Sequence, residues 1–123
     1  MRYEIKRIKI GPTYFNAYIA DTFLKKMIGL MYRNKMSQKS CMLFIFSYDD
    51  YHSIWMKNMC MNIDVLWVDS GMHIIDYVEN IEPCTSIFKC TTFKPAKKCR
   101  YIIELNNNAI RKNRIKKGKK IVI

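Results

Sequence analysis

The stretch that decides the fold reads IDVLWVDSGMHIIDYVE and covers residues 63–79. Residues 63–68 and 73–79 are rich in β-branched and aromatic side chains, which favour strands. Asp69, Ser70 and Gly71 lie between the two runs and favour a tight turn. The stretch therefore predicts an antiparallel hairpin, and with it a β-rich protein.

The first twenty residues predict a second hairpin. Apolar residues alternate with charged ones up to residue 10, Gly11–Pro12 favours a turn, and the alternation resumes over 15–19. Between Lys6 and Arg7 the alternation changes parity. This change predicts a β-bulge or two separate strand pieces.

Two segments show helical features. Apolar residues at helical spacing predict an amphipathic helix over 22–33, with Asp21 or Thr22 as its cap. Gly29 inside this helix would cost about 1 kcal/mol relative to alanine, although a glycine there allows close packing on a neighbour. A short second helix is predicted over 109–115.

The remaining elements complete the predicted architecture. Further strands are predicted at 41–46, 52–57, 100–105 and 120–123. Residues 80–99 contain two prolines and three cysteines without a clear period, and we interpret them as a long irregular segment. About eight strands and two helices with short connections favour an α+β, mostly antiparallel β fold. We expect one domain over 1–123, with a compact sandwich- or barrel-like sheet, one main helix and a short C-terminal helix.

Composition excludes several protein classes. The chain has 123 residues, is 50% hydrophobic and carries a formal charge of +12. A chain half apolar is not disordered, even at this charge. The longest unbroken apolar run has six residues, at 41–46, whereas a spanning helix needs about 20. Because the first ten residues also lack the apolar run of a secretory signal, we expect a soluble cytoplasmic protein without a membrane partner.

The positive charge is unevenly distributed. Residues 41–90 hold two bases and seven acids, whereas the rest of the chain holds 20 bases and three acids. The basic excess predicts either a solvated surface or contact with nucleic acid or another polyanion. Residues 111–120 lack the interleaved aromatic residues of a single-strand stacking platform and match no nucleic-acid-binding motif, so we expect any such binding to be non-specific. The candidate polyanion contacts are Arg111, Lys112, Arg114, Lys116 and Lys117.

An ordered set of motifs runs through the chain. These are GLMYR (29–33), CMLFIF (41–46), WMKNMCMNID (55–64), PC (83–84), Cys90 and RYIIEL (100–105). In this order they resemble the family catalogued as domain of unknown function 192, over roughly residues 14–121. The resemblance implies a compact β-rich domain, and it carries no established catalytic residue. Cys41 stands where the family usually has glycine, and Met59 where it usually has threonine.

The W-M-K-N motif contains the candidate site. Trp55 and Lys57 share one face of a strand, and Asn58 and Asp64 follow closely. With Arg33 as a neighbour, these groups could bind a small anionic or polar ligand. Alternatively, a buried Lys57 could act as base or nucleophile beside Asp64, as in a hydrolase or transferase. The structural alternative pairs Lys57 with Asp64, puts Asn58 in a turn and Trp55 in the core.

The sequence leaves several interpretations of the cysteines open. Five are present, so at least one is unpaired within the chain. Cys84 and Cys90 could be reduced thiols, a disulfide, a redox pair or half of a metal site. The soft donors of residues 56–61 could suit Cu(I), but such residues usually pack cores. We predict no metal and assign no cofactor.

These features favour a small binding or accessory module with an unidentified small ligand or protein partner. An enzyme using Lys57 and Asp64 is the second hypothesis, and non-specific polyanion binding through the basic C-terminal region is the third.

Overall fold

The computed structural model describes residues 1–84 and 89–123. Its strands are β1 (Ile5–Ile10), β2 (Thr13–Ala20), β3 (Ser40–Asp50), β4 (Ile54–Trp55), β5 (Ile63–Val68), β6 (Ile74–Ile81), β7 (Thr92–Phe93), β8 (Cys99–Asn106) and β9 (Ile121–Val122). Its helices are α1 (Phe23–Ile28) and α2 (Ala109–Lys112). In the described residues, seven strands form one sheet in the order β6-β5-β8-β3-β2-β1-β9, and β4 pairs with β7 in a small second sheet.

The large sheet is curled into a half barrel and is mixed rather than purely antiparallel. Strands β2 and β3 run parallel, with Ala17 opposite Cys41, because the chain crosses over through α1 and the loop after it. The other pairs are antiparallel, including the predicted hairpin of β5 and β6. The mostly antiparallel β-rich prediction is therefore confirmed.

Two apolar clusters cover the two faces of the sheet. The inner core lies on the concave side of the curled sheet. The two edges of the sheet are joined by backbone hydrogen bonds, from the Ile74 amide to the Lys119 carbonyl and from the Ile121 amide to the Met72 carbonyl. The members of the inner core include Ile8, Ile10, Phe15, Leu66 and Ile103. The outer core lies on the opposite face and includes Leu30, Met42, Phe44, Met56, Trp67 and Ile102. Strand β5 is buried along its whole length because its side chains alternate between the two cores.

The predicted bulge in the first strand is wrong. Strands β1 and β2 pair without a register shift from Ile5–Tyr18 to Ile10–Thr13. The parity of the sequence changes because Ile8 faces the inner core, whereas Tyr3 packs against the outer core and Ile5 stays exposed. Two buried faces, rather than an inserted residue, produce this pattern.

Helix α1 is shorter than the predicted 22–33. Thr22 caps it as expected, since its hydroxyl oxygen accepts a hydrogen bond from the Lys25 amide at 3.2 Å. The helix stops at Gly29, whose φ of 49° and ψ of −127° leave the helical region. Its apolar side chains do not pack on the sheet as an amphipathic helix would, and Phe23 is 78% exposed.

The other elements differ from prediction mainly in length. The predicted strand over 52–57 shrinks to β4, and α2 is shorter than the predicted 109–115. Strand β7 lies inside the segment predicted to be irregular, of which residues 85–88 fall outside the described residues. Within the described ranges, no helix is long and apolar enough to cross a bilayer.

Candidate functional site

A cleft of about 490 Å³ opens over the outer core. Helix α1 and the turn after it form one side, and β4 with the chain around it forms the other. Its apolar walls include Phe23, Met27, Phe44, Phe46, Tyr48 and Trp55. The volume lies within the usual range of small-molecule sites, and such sites are mostly apolar with few polar groups.

Glu104 supplies the carboxyl group that lines this cleft. It stands on the central strand β8, between Met42 of β3 and Val65 of β5, and only 6% of it is exposed. Oε1 has no hydrogen-bond partner among the described residues. Buried polar atoms are rarely left without a partner. An unpaired oxygen on a side chain that lines an apolar cleft therefore indicates a group that a ligand can satisfy.

Burial also changes the charge of this group. Loss of solvation raises the pKa of Glu104 to about 8, although a hydrogen bond from the Leu30 backbone amide acts in the opposite direction. At neutral pH the carboxyl is therefore mainly protonated and uncharged. Such a group can donate a proton in a hydrogen bond or release it when a cation arrives.

Lys26 is the cation that lines the cleft. Its ammonium group donates a hydrogen bond to the Ile45 carbonyl at 3.0 Å and lies 4.7 Å from the centre of the Phe46 ring. Among the described residues, Glu104 forms no ion pair within 4.0 Å, so Lys26 does not neutralise it. The titratable groups that line the cleft are Lys26, Tyr48 and Glu104.

Gly29 brings the turn after α1 against Glu104. A Cβ atom at this position would lie 3.0 Å from Cζ of Phe44 and 3.4 Å from Oε1 of Glu104. Its positive φ is also unfavourable for residues with a side chain. Glycine is therefore required here by both the backbone and the packing.

We expect Gly29→Ala to lower the free energy of unfolding by about 3 kcal/mol, because it adds backbone strain and crowds Phe44. Helix propensity alone predicts the opposite sign. Gly11→Ala is the matched control, because Gly11 also has a positive φ but open space around it, and should cost about 1 kcal/mol. Urea unfolding measures both variants, and a Gly29→Ala protein as stable as the parent would contradict this packing.

The predicted pair of Trp55 and Lys57 is adjacent in the structure. Trp55 lines the cleft and is 48% exposed. The Lys57 ammonium lies 5.1 Å from the centre of its ring, a cation–π distance. Trp55 is thus a wall of the cleft rather than a core residue.

Asn58 and Arg33 support the motif from outside the cleft lining. Asn58 has a φ of 60°, and its carbonyl accepts a hydrogen bond from the Tyr32 amide at 2.9 Å. The Arg33 guanidinium lies 5.6 Å from the Tyr18 ring centre and 5.8 Å from that of Tyr3. These contacts tie the chain after α1 to the motif and to the sheet.

Asp64 lies on the other face of the sheet. It shares the parity of Leu66 in the inner core and is completely buried. Oδ1 accepts a hydrogen bond from the Asn80 amide and Oδ2 accepts one from the Ile110 amide, each at 2.9 Å. No ion pair joins it to Lys57 in the described part of the chain. The structure therefore does not bring these two residues together as a catalytic pair.

Cys84 and Cys90 form a disulfide. The Cys84 amide bonds to the Met56 carbonyl at 3.3 Å, so this bridge is attached to the W-M-K-N segment. Met56 and Met59 pack in the outer core rather than converging with Cys60, which is exposed. Across residues 1–84 and 89–123, no cluster of three or more His, Cys, Asp or Glu side chains could hold a metal ion.

The candidate polyanion contacts lie on and after α2. All five are exposed, and the Lys117 ammonium lies 3.4 Å from a carboxylate oxygen of Asp76. Ala109 and Ile110 of α2 pack on the inner core, whereas the cleft lies over the outer core. The basic surface and the cleft are therefore built on opposite faces of the sheet.

Glu104 is the residue that sequence reasoning missed. Alternation over 100–105 places Tyr101, Ile103 and Leu105 on one face, which suggests that Glu104 points to solvent. In the structure both faces are buried. The sequence feature that could have identified it is its charge, since Glu104 is the only acidic residue in segment 94–120, which holds eleven basic residues.

Two solved structures share this fold. A protein of Sinorhizobium meliloti 1021, named a candidate transcription regulator, superposes with a TM-score of 0.90 at 23% identity, over 98% of this chain and 95% of that one. A protein of unknown function from Novosphingobium aromaticivorans gives a TM-score of 0.88 at 22% identity, over 97% of this chain and 85% of that one. At these identities the likeness shows the fold alone.

Two curated proteins are similar in sequence. UPF0127 protein TK1120 of Thermococcus kodakarensis is 30% identical over 100 residues, which are 81% of this chain and 59% of that protein. A UPF0127 protein of Thermococcus gammatolerans is 28% identical over 88 residues, which are 70% of this chain and 52% of that protein. The matched region thus spans only 52–59% of the length of these relatives.

The family profile of DUF192, described as "Uncharacterized ACR", matches residues 6–123. This match covers nearly the whole chain and confirms the resemblance found in the motifs. The chain belongs to the DUF192 family.

Proposed function

We propose that the chain is a binding module that holds a small molecule in the cleft between α1 and β4. The observation that carries this proposal is the unpaired, buried Oε1 of Glu104, a residue that lines a cleft with apolar walls. A ligand group bonded to Oε1 would remove the free-energy cost of an unsatisfied polar atom. The exposed apolar side chains of α1 would gain packing from the same ligand.

The arrangement favours binding over catalysis. A few polar groups within apolar walls fix the orientation of a ligand, and this arrangement is typical of binding sites. Among the described residues, Lys57 and Asp64 form no ion pair, and both carboxylate oxygens of Asp64 are bonded to backbone amides. Asp64 thus supports the fold rather than chemistry in the cleft.

A fragment screen by NMR tests this function. Single-ring fragments of positive, neutral and negative charge are added to ¹⁵N-labelled protein, and shifts are expected at Gly29, Leu30 and the Trp55 indole. Trp55→Ala should weaken binding of the tightest-binding fragment by about fivefold or more, since it removes an aromatic side chain from the cleft wall. Tyr51→Ala is the matched control, because Tyr51 is also 48% exposed but does not line the cleft. Shifts that avoid the cleft for every fragment would overturn the proposal.

Non-specific polyanion binding is a second candidate, supported by the exposure of the five bases on and after α2. The naming of the Sinorhizobium meliloti protein as a candidate transcription regulator motivates the same test. We expect DNA and RNA to bind equally in a filter assay at 50 mM salt and to be lost by about 200 mM. Arg111→Ala with Arg114→Ala should reduce the salt dependence by about two counterions. No retention at the lower salt would remove this candidate.

A further inference from the structure

Building on the proposed function, we propose that the cleft takes a small organic cation, with an ammonium group against the Glu104 carboxylate and an apolar body against the aromatic walls. This assignment names the ligand class of the same site. It follows from the hydrogen-bond partner that Oε1 lacks and from the aromatic rings that line the cleft.

Once the Glu104 carboxyl has lost its proton, its unsatisfied oxygen is a hydrogen-bond acceptor. Glu104 lines the cleft, and its buried Oε1 has no partner among the described residues, although the Leu30 backbone contributes a hydrogen bond to the carboxyl group. A charged N–H donor makes a shorter and stronger bond to a carboxylate than a neutral donor does. Because the carboxyl is buried, attraction to a cation is less screened than it would be in water.

The walls are suited to the same charge. Ring faces of Phe, Tyr and Trp attract cations. Two rings of this cleft already attract the chain's own ammonium groups, at 4.7 Å between Lys26 and Phe46 and at 5.1 Å between Lys57 and Trp55. The cleft volume of about 490 Å³ limits the ligand to a small molecule, such as a single ring with a short chain.

Lys26 does not supply the missing cation. Its ammonium group bonds to the Ile45 carbonyl instead of Glu104. As a like charge in the cleft lining it works against a cationic ligand and in favour of an anionic one. The effect of removing it therefore reports the sign of the ligand's charge.

Proton release is the second signature. Met42 and Val65, which flank Glu104 on the neighbouring strands, are apolar and do not titrate. The other titratable groups that line the cleft are Lys26 from α1 and Tyr48 from β3. Burial raises the pKa of Glu104 to about 8, so below that pH a cation must displace a proton. Affinity for a cation should then rise about tenfold per pH unit between pH 6 and pH 8 and level off above. Tyr48→Phe leaves this slope unchanged if Glu104 is the titrating group.

Three probes of similar shape test the inference by NMR titration at pH 6, 7 and 8. They are 2-phenylethylamine, the neutral 2-phenylethanol and the anionic 3-phenylpropanoate. We expect the amine to bind tightest at pH 8, and Glu104→Gln to weaken it about tenfold or more and to abolish its pH slope. Lys26→Met should tighten amine binding several-fold more than it changes binding of the neutral alcohol.

The outcomes separate the two proposals. Equal or tighter binding of the alcohol or the carboxylate would overturn the cationic ligand and leave the binding module standing. A pH slope that persists in Glu104→Gln, or weaker amine binding in Lys26→Met, would also overturn it. If none of the three probes, nor any fragment of the earlier screen, shifts the cleft residues, both proposals fail. Dispersed amide spectra of each variant confirm that it is folded.

Discussion

Replacing Asp64 with alanine is expected to lower the free energy of unfolding by about 4 kcal/mol. The carboxylate accepts one hydrogen bond at the irregular pairing of β6, from Asn80, and one at the start of α2, from Ile110. Asn108, the residue at the N-cap position of α2, makes no capping hydrogen bond with its side chain. Asp64 of β5 caps the helix instead, by accepting the hydrogen bond from the Ile110 amide. The substitution leaves the buried Ile110 amide and the part-buried Asn80 amide without an acceptor.

Urea unfolding measures this loss. Asp21→Ala is the control, because Asp21 is exposed and its removal should change the free energy of unfolding by less than about 0.5 kcal/mol. Amide hydrogen exchange at Asn80 and Ile110 should accelerate in Asp64→Ala beyond the general loss of protection. A cost of less than about 1 kcal/mol would show that Asp64 does not join β6 to α2 in this way.

Glu104 should make the protein less stable as pH rises. In the folded chain its pKa is raised from 4.5 to about 8, so between these values the folded state holds a proton that the unfolded state has lost. Its contribution to stability is therefore complete below pH 4.5 and is lost as pH rises towards 8. The slope is as much as about 1.4 kcal/mol per pH unit.

Glu104→Gln should remove this slope, because glutamine does not titrate. We expect urea unfolding at pH 5, 6, 7 and 8 to show that the free energy of unfolding of the variant rises relative to that of the parent at each pH step and exceeds it at pH 8. Glu4→Gln, at an exposed position, is the control and should run parallel to the parent. If Glu104→Gln also runs parallel to the parent, Glu104 is not buried in the folded protein.

Local pattern was enough to predict the central hairpin and most strands. Residues 63–79 form β5, a turn and β6 as expected, since alternation and turn residues act over short distances. The Asp69 carboxylate supports the turn by accepting a hydrogen bond from the His73 amide at 2.8 Å. The cap at Thr22 was likewise readable, because a cap depends on three neighbouring residues.

Long-range packing decided what the sequence could not show. Helix α1 ends at Gly29, where the ring of Phe44 from β3 lies too close to the backbone to leave room for a side chain. Asp64 and Lys57 are seven positions apart, yet β5 directs Asp64 to the inner core while Trp55 and Lys57 stay on the outer side. Glu104 was missed because alternation identifies two faces of a strand but not whether distant chain segments cover both of them.

Titration of the Glu104 carboxyl carbon by ¹³C NMR tests the central claim most directly. A buried carboxyl without a counterion should titrate with a midpoint near pH 8, and saturating 2-phenylethylamine should move that midpoint down. Glu4, which is exposed, serves as the internal reference. A midpoint near 4.5 for Glu104 in the free protein would show a solvated carboxyl and contradict the burial of Glu104 beneath the cleft.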